Sequence, residues 1–343
     1  MHWLVVFLGL FMLFAIFRIP VAVSMSLATL ITMAGAGVNF GIIGTSVFNS
    51  LNSFTFLAIP AFIIAGDIMG VTGISNSLLN WVDSMVGRLR GSTGATAVVC
   101  SLLFGTLTGS SLATCTAIGT MMIPEMEKAG YPKAFSAALL SVAGGIGVII
   151  PPSLPMVNYA VADGGSVSIS NLFAAGFGPG ILVGLVLMVI CYFSSKKYGY
   201  GQKNRVPFSL HNVGRSFVNA IWALIMPVIV LGGIYGGIFT PTEAAAVAAI
   251  YGFIVGTFVY QDLKLKDLPQ LLMNSGKGTA MVMIIVGAAS SFGWILTSAR
   301  IPDVIASFMV SLTSSKIGIL LVINIFLLIV GCLMDVTAAI IIL

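Results

Sequence analysis

The chain has 343 residues, of which 58% are hydrophobic and only 7% are charged, whereas about a quarter of the residues in a soluble domain are charged. Its mean hydropathy is +1.11, which excludes a water-soluble fold. Since one helical crossing needs about 20 apolar residues, the sequence predicts an all-α polytopic membrane protein with about eight to ten passes. The formal net charge is +5, but without a soluble domain to carry a basic surface we expect no nucleic-acid binding.

Few side chains offer acid–base or metal chemistry. The four cysteines show no C-x-x-C spacing, and histidine occurs only at His2 and His211, so we predict neither a disulfide framework nor a metal site built from these residues. An intramembrane enzyme would lack paired acid–base groups. The protein is therefore not expected to be an enzyme.

Apolar segments follow one another along the chain and predict the helices. Residues 74–91 lie between the third and fourth segments and place Leu78, Trp81 and Met85 on one helical face, with Asp83 and Arg88 on the other. This pattern predicts an amphipathic helix at the membrane interface, or an arm packed along the bundle, whose charges form a solvated face. The apolar segments are 2–17, 19–36, 54–71, 94–123, 134–162, 171–195, 217–239, 243–260, 279–298 and 317–343.

Glycine and proline positions in the first half recur in the second half. Weak internal symmetry of this kind is typical of secondary transporters built from inverted repeats. We predict a first inverted repeat over 1–195 and a second, incomplete one over 216–343. The matched positions are Pro20 with Pro241, Gly66 with Gly287, and Gly105 with Gly331.

The segment 196–215 sets the predicted orientation, because it carries the densest group of basic residues. By the positive-inside rule this loop is cytoplasmic, and an inverted repeat then places the N-terminus on the periplasmic side. The chain stops inside an apolar run, without the polar loop and paired prolines that follow the matching point of the first half, so we expect a C-terminal part to be missing. The basic residues are Lys196, Lys197, Lys203, Arg205 and Arg215.

Residues 94–123 form an apolar run with hydroxyls and glycines at its centre, from Phe104 to Gly119. The run exceeds the length of about 20 residues that one crossing needs. It predicts a re-entrant hairpin whose tip exposes backbone groups to a cavity or an ion. The alternative is a helix-packing face, with Gly105 and Gly109 as a G-x-x-x-G match.

Residues 134–162 predict a broken helix, because three glycines and three prolines fall between Ser141 and Pro155. Proline removes a backbone donor and disfavours helix in the residue before it. Unwound carbonyls at such a break suit Na⁺, while the N-terminus of the half-helix after Pro152 would offer amides to an anion. A purely structural kink is the alternative.

Acidic residues are few inside the apolar segments. Asp335, near the end of the second half, is the most deeply embedded, and an intramembrane carboxylate is functional by default. Asp67 and Glu243 are weaker candidates, because each lies at a helix end beside Gly or Pro and can serve the helix terminus alone.

Six segments in this order resemble the large membrane subunit of the tripartite ATP-independent periplasmic (TRAP) transporters. The resemblance implies a sodium-driven elevator transporter in the bacterial inner membrane that imports an organic acid, such as a C4-dicarboxylate, a sialic acid or a sugar acid. It also implies two partners: a small membrane subunit of about four helices and a periplasmic substrate-binding protein. The segments are Ala58–Phe62, Ala65–Met69, Gly105–Thr114, Ile149–Pro155, Phe239–Ala244 and Gly331–Asp335.

The resemblance also carries two groups of sodium ligands onto this sequence. The first group is Ser110, Ser111, Gly145, Val148 and Pro151, and the second is Gly331, Asp335 and Thr337 with residues beyond Leu343. We take Thr114, Ser153 and Asn158 as candidate substrate-binding residues. No organic cofactor is expected.

Two other transport functions are open at this level: a proton-coupled carboxylate transporter of similar fold, and an ion channel. A channel would need a continuous pore lined by charged or carbonyl rings, whereas paired hairpins at one midplane site fit alternating access better.

Overall fold

The computed structural model describes residues 2–52, 54–87, 90–164, 166–201, 209–300, 304, 307, 311, 315–331, 336, 339 and 340. Across these residues the secondary structure is helical, and none of them lies in a β-strand. The predicted all-α polytopic class is therefore confirmed.

Fourteen α-helices are described, and π-helical backbone over Val255–Val259 extends the twelfth. They are α1 (His2–Ile16), α2 (Val21–Ala36), α3 (Gly41–Leu51), α4 (Ala58–Val71), α5 (Ile74–Val86), α6 (Ser92–Thr108), α7 (Ser111–Lys128), α8 (Lys133–Gly147), α9 (Leu154–Ala162), α10 (Ile169–Tyr198), α11 (Leu210–Tyr235), α12 (Pro241–Ile254), α13 (Leu268–Ser298) and α14 (Lys316–Gly331).

Four of the described helical segments are long and apolar enough to cross a membrane. Helices α4 and α5 together make a fifth candidate, bent by 68° at Thr72–Gly73. Shorter apolar helices, among them α6 and α8, account for much of the remaining apolar sequence. The predicted number of passes stays a prediction. The four segments are Ile169–Tyr198, Leu210–Tyr235, Pro241–Val259 and Leu265–Ser298.

Two helix assignments differ from the apolar segments of the sequence. Helix α3 was not predicted, because Thr45, Ser46 and Asn49 dilute its apolar residues. Helix α13 begins at Leu268, well before the apolar segment 279–298, because its first turns are helical but carry polar residues such as Asn274. Hydropathy marks the membrane-like part of a helix, and the helix itself can be longer.

The chain divides into two compact units, one formed by residues 1–53 and 279–343 and the other by 54–278. In the first unit, α1 and α2 pack against the C-terminal part of α13. The rings of Phe7 and Phe11 lie 4.4 and 5.1 Å from that of Phe292, at the spacing of favourable aromatic pairs. The predicted inverted repeats follow a different division of the chain and stay a prediction.

The second unit contains the predicted hairpin, the broken helix and the amphipathic arm. Helix α5 packs along the bundle against α6 and α11, with Leu78 and Val82 buried and the ring of Trp81 5.7 Å from that of Phe217. The expected solvated face is wrong for Asp83, whose carboxylate is half-buried and accepts a hydrogen bond from Thr96 at 3.2 Å. Arg88 lies outside the described residues.

Candidate functional site

The predicted hairpin is two helices joined by a tight turn. Helix α6 ends at Thr108 and α7 begins at Ser111. Gly109 between them has a φ of +59°, a left-handed conformation that glycine adopts at little cost, and its N–H donates to the Gly105 carbonyl at 2.8 Å. The structure has a helix–turn–helix at this position. The re-entrant hairpin stays a prediction.

Three hydroxyl groups hold the turn. Ser110 is the N-cap of α7, and its Oγ accepts from the Ala113 amide at 3.3 Å. Thr114 donates to the Ser110 carbonyl at 2.8 Å, and its Oγ1 lies 3.1 Å from that of Thr108. Thr114, a predicted substrate contact, is fully buried within this network, and its contact with substrate stays a prediction.

The N-terminus of α7 presents two unused backbone donors. The first amides of a helix have no acceptor within the helix, and Ser110 satisfies only that of Ala113. Within the described part of the chain, the amides of Ser111 and Leu112 donate to no acceptor. Leu112 is 78% exposed. The helix dipole and these amides together make an end that favours an anion.

The predicted break in 134–162 lies between α8, which ends at Gly147, and α9, which begins at Leu154. The Pro151–Pro152 peptide bond within it is cis, and both prolines are buried. Ser153 caps α9 by accepting from the Met156 amide at 3.4 Å. The described backbone is therefore not α-helical between Gly147 and Leu154.

Three backbone carbonyls in or just before this break have no hydrogen-bond partner among the described residues. In the described chain, the carbonyls of Gly145, Val148 and Pro151 accept no hydrogen bond. Val148 and Pro151 are buried, and Gly145 is exposed. Neutral oxygens of this kind are suitable ligands for a hard cation such as Na⁺.

The hairpin and the break touch each other. The Leu154 amide donates to the Gly109 carbonyl at 3.4 Å. Below the turn, α6 and α8 cross so closely that a Cβ on Gly105 would lie 2.5 Å from the Gly147 backbone. The packing alternative for Gly105 is thus confirmed, whereas Gly109 serves the turn.

This contact also corrects one expectation about α9. Its amides are already occupied: Leu154 donates to Gly109, Met156 donates to the Ser153 side chain, and Pro155 has no N–H. The prediction that α9 offers free amides to an anion is therefore wrong, and the open amides belong to α7. The Ser110 N-cap signal was visible in the sequence, since the two residues after an N-cap are those whose amides lack partners.

Glu243 has a structural role. It completes a capping box at the start of α12, where its carboxylate accepts from the Thr240 amide at 2.8 Å and the Thr240 hydroxyl accepts from the Glu243 amide at 3.3 Å. Its service to a helix terminus is confirmed.

The remaining predicted site residues are placed as follows. Asn158 is 3% exposed on α9, and its Oδ1 has no hydrogen-bond partner among the described residues. Gly331 is the exposed last residue of α14. Asp335 and Thr337 lie outside the described residues, so the second sodium group stays a prediction.

Comparison with known sequences decides the family. The sequence profile described as "Tripartite ATP-independent periplasmic transporter, DctM component" matches residues 8–343. The chain belongs to this TRAP transporter family. It is a multi-pass inner-membrane subunit of that family, as the resemblance implied.

Three relatives illustrate the range of TRAP permeases that the chain resembles. It is 44% identical to an isethionate TRAP transporter permease protein DctMQ of Oleidesulfovibrio alaskensis, over 98% of this chain and 53% of that protein. It is 43% identical to a C4-dicarboxylate large permease DctM of Pseudomonas aeruginosa, over 87% of this chain and 69% of that protein. A sialic acid large permease SiaM of Vibrio cholerae is 36% identical, over 90% of this chain and 71% of that protein.

The chain thus spans about half the length of the first of these relatives. All three are named as transporter permeases, which supports transport and not enzymatic catalysis. The turn at Gly109–Ser110 and the break at Val148–Ser153 bring helix ends into contact inside an apolar bundle. They form the candidate site.

Proposed function

We propose that this chain is the membrane subunit of a sodium-coupled transporter that imports an organic acid by elevator-type alternating access. The observation that carries the proposal is the meeting of two kinds of helix end, open amides at α7 and open carbonyls at the α8–α9 break. One end favours an anion and the other a cation. A symporter of an anion with Na⁺ needs both.

Sodium binding is supported by the type and number of oxygen atoms at the break. Gly145, Val148 and Pro151 offer carbonyls, and Ser110 and Ser111 begin the neighbouring α7 with hydroxyls. None of these groups titrates near neutral pH, which favours Na⁺ over a proton as the coupling ion.

Substrate binding is supported by the N-terminus of α7. The Ser111 and Leu112 amides point to an acid group as the part of the substrate held here. The named relatives transport isethionate, a C4-dicarboxylate and sialic acid, and an organic anion is the class that those names share. Contacts with the rest of the substrate are assigned to Thr114, Ser153 and Asn158 as candidates.

The partners follow from the family. We propose that the full-length chain works with a small membrane subunit of about four helices and a periplasmic binding protein that delivers the carboxylate, with the N-terminus periplasmic and the loop 196–215 cytoplasmic. The experiment is uptake by the full-length complex in proteoliposomes, with the binding protein loaded with a panel of organic acids. We expect uptake driven by an inward sodium gradient; uptake that persists without sodium under a pH gradient would replace this proposal with proton coupling.

A further inference from the structure

The second unit holds a cavity on the side of α7 away from the turn at Gly109 and the α8–α9 break. It measures about 370 Å³ and lies where α4, α7 and the first turns of α13 come together. Asp67 is its one acidic lining residue, and the polar groups around it are Thr116 and Thr120 of α7 and Asn274 of α13.

The described partner of the Asp67 carboxyl group is a neutral hydroxyl. Asp67 is half-buried, and its Oδ2 accepts a hydrogen bond from the buried Ser275 hydroxyl at 2.5 Å. Among the described residues it forms no ion pair with a lysine, arginine or histidine. An ionised carboxylate in apolar surroundings costs free energy unless an opposite charge accompanies it. One neutral hydroxyl does not supply that charge.

The other polar side chains of the cavity carry oxygen atoms that can serve as ligands for a hard cation. Thr120 uses its hydroxyl hydrogen toward the Thr116 and Ala117 carbonyls, so its oxygen lone pairs are left to accept. The Asn274 Oδ1 accepts a hydrogen bond from the Gln270 Nε2 at 3.0 Å and keeps a second lone pair. With about 370 Å³ of space and the exposed Thr116, Thr120 and Asn274 around it, the cavity has room for an ion that keeps part of its hydration shell.

The charge count selects a monovalent ion. The described residues contain no group of three or more His, Cys, Asp or Glu side chains that could hold a metal ion. A divalent ion would leave an uncompensated positive charge beside Asp67, and such ions are usually held by several carboxylates. One carboxylate with neutral oxygens balances an alkali cation.

We propose that the α4–α7–α13 cavity binds a monovalent alkali cation through the Asp67 carboxylate. The site is separate from the carbonyls of the α8–α9 break, but it touches the same hairpin. Gly66, the residue before Asp67, packs so closely on the end of α6 that a Cβ there would lie 2.6 Å from the Thr108 carbonyl. A cation at Asp67 neutralises the carboxylate and fixes α4 and α13 against α7. This inference does not depend on sodium coupling at the break.

The test is equilibrium binding of ²²Na⁺ to the purified full-length protein with its membrane partner, at constant pH and with choline as the balancing cation. We expect Asp67→Asn to lose one bound Na⁺ per chain. The matched control is Asp83→Asn, because Asp83 is also half-buried and also accepts a hydroxyl hydrogen bond, from Thr96, but does not line the cavity. The control should bind as many ions as the unmodified protein.

Equal Na⁺ binding by Asp67→Asn and the unmodified protein would overturn the inference, and so would a change that is the same in both aspartate variants. If Asp67→Asn does not fold, labelling of Thr120→Cys by a polar maleimide gives a second reading. We expect Na⁺ to slow this labelling at least threefold, even when Ser110→Ala is combined with it to weaken the proposed site at the break. A labelling rate that is the same in Na⁺ and in choline would reject the cavity site.

This experiment separates the inference from the proposed function. If Asp67→Asn binds one Na⁺ fewer but the unmodified complex shows no sodium-driven uptake, the cavity site stands and the symport proposal fails. If the unmodified complex shows sodium-driven uptake but Asp67→Asn binds as much Na⁺ as the unmodified protein, the symport proposal stands and the cavity site fails.

Discussion

The starts of α7 and α12 are built from similar capping residues but end up in opposite states. At α12, Thr240 caps the helix and Glu243 closes it with a carboxylate. At α7, Ser110 caps the helix, and its first turn contains no acidic residue. The helix that only needs a stable beginning supplies its own anion, while the helix at the candidate site leaves two amides without an acceptor.

The difference has an electrostatic reason. A carboxylate near a helix N-terminus neutralises the partial positive charge of the dipole and occupies the free amides. An N-cap serine satisfies one amide and leaves the dipole uncompensated. A start that is capped but lacks an acid is therefore suited to an external anion.

The start of α9 is a third case. Ser153 caps it as Ser110 caps α7, but the Gly109 carbonyl takes the Leu154 amide, and Pro155 removes the next donor. Two serine caps with nearly the same backbone conformation thus differ in what their neighbours leave open. The local sequence alone does not distinguish them.

The largest expected effect comes from separating the turn and the break. Gly105→Val would force side-chain atoms into the Gly147 backbone, at a cost above about 3 kcal/mol, because neither backbone can move aside. We expect little folded protein by size-exclusion chromatography. Gly119→Val on α7 is the control, since a Cβ there meets nothing within 4 Å; equal recovery of the two variants would show that the α6–α8 crossing is not what holds the site.

The next effect concerns sodium. We expect a higher sodium concentration for half-maximal uptake in each of three variants, Ser110→Ala, Ser111→Ala and Asp335→Asn. Because losing one ligand costs about 1–3 kcal/mol, the increase should be about tenfold to hundredfold. If the serines serve only close packing, the alanine variants should keep nearly normal sodium dependence, and leucine at either serine position should prevent folding. Normal sodium dependence in the alanine variants together with misfolded leucine variants would leave only the packing role.

A smaller effect is expected from giving α7 the acid that α12 has. Leu112→Glu places a carboxylate beside the open amides at an exposed position, and it should lower uptake of the organic acid about tenfold, equivalent to about 1.4 kcal/mol. Leu112→Gln has nearly the same shape without the charge and should lose much less. Identical uptake in the two variants would argue against an anion at this helix start.

The smallest effect is expected at α12. Thr240→Ala removes its N-cap and should lower stability by about 0.5–2 kcal/mol, measured by thermal denaturation of the complex. The sodium concentration for half-maximal uptake should not change, since α12 is closed by its own residues. A change in sodium dependence in Thr240→Ala would contradict the assignment of a purely structural role to the start of α12.

The sequence predicted the interruptions of the helices better than their contacts. Gly109 and the Pro151–Pro152 pair are unmistakable inside apolar runs, because glycine and proline restrict or relax the backbone wherever they occur. Their positions survive in the structure as the turn and the break.

Three features needed the three-dimensional contacts. The Gly109 carbonyl closes α9 from a segment far away in sequence. Asp83 lies on the polar face of an amphipathic helix, yet Thr96 draws it into the bundle. Asp67 gains a cavity from α7 and α13, and no local pattern around it encodes that cavity.

The most direct test of an open helix start at α7 is a cryo-EM structure of the full-length complex with Na⁺ and a transported organic acid. We expect an acid oxygen about 3 Å from the amide nitrogen of Ser111 or Leu112, the distance of an N–H···O hydrogen bond. Substrate bound elsewhere, with these two amides facing only water or protein, would contradict the proposed anion site.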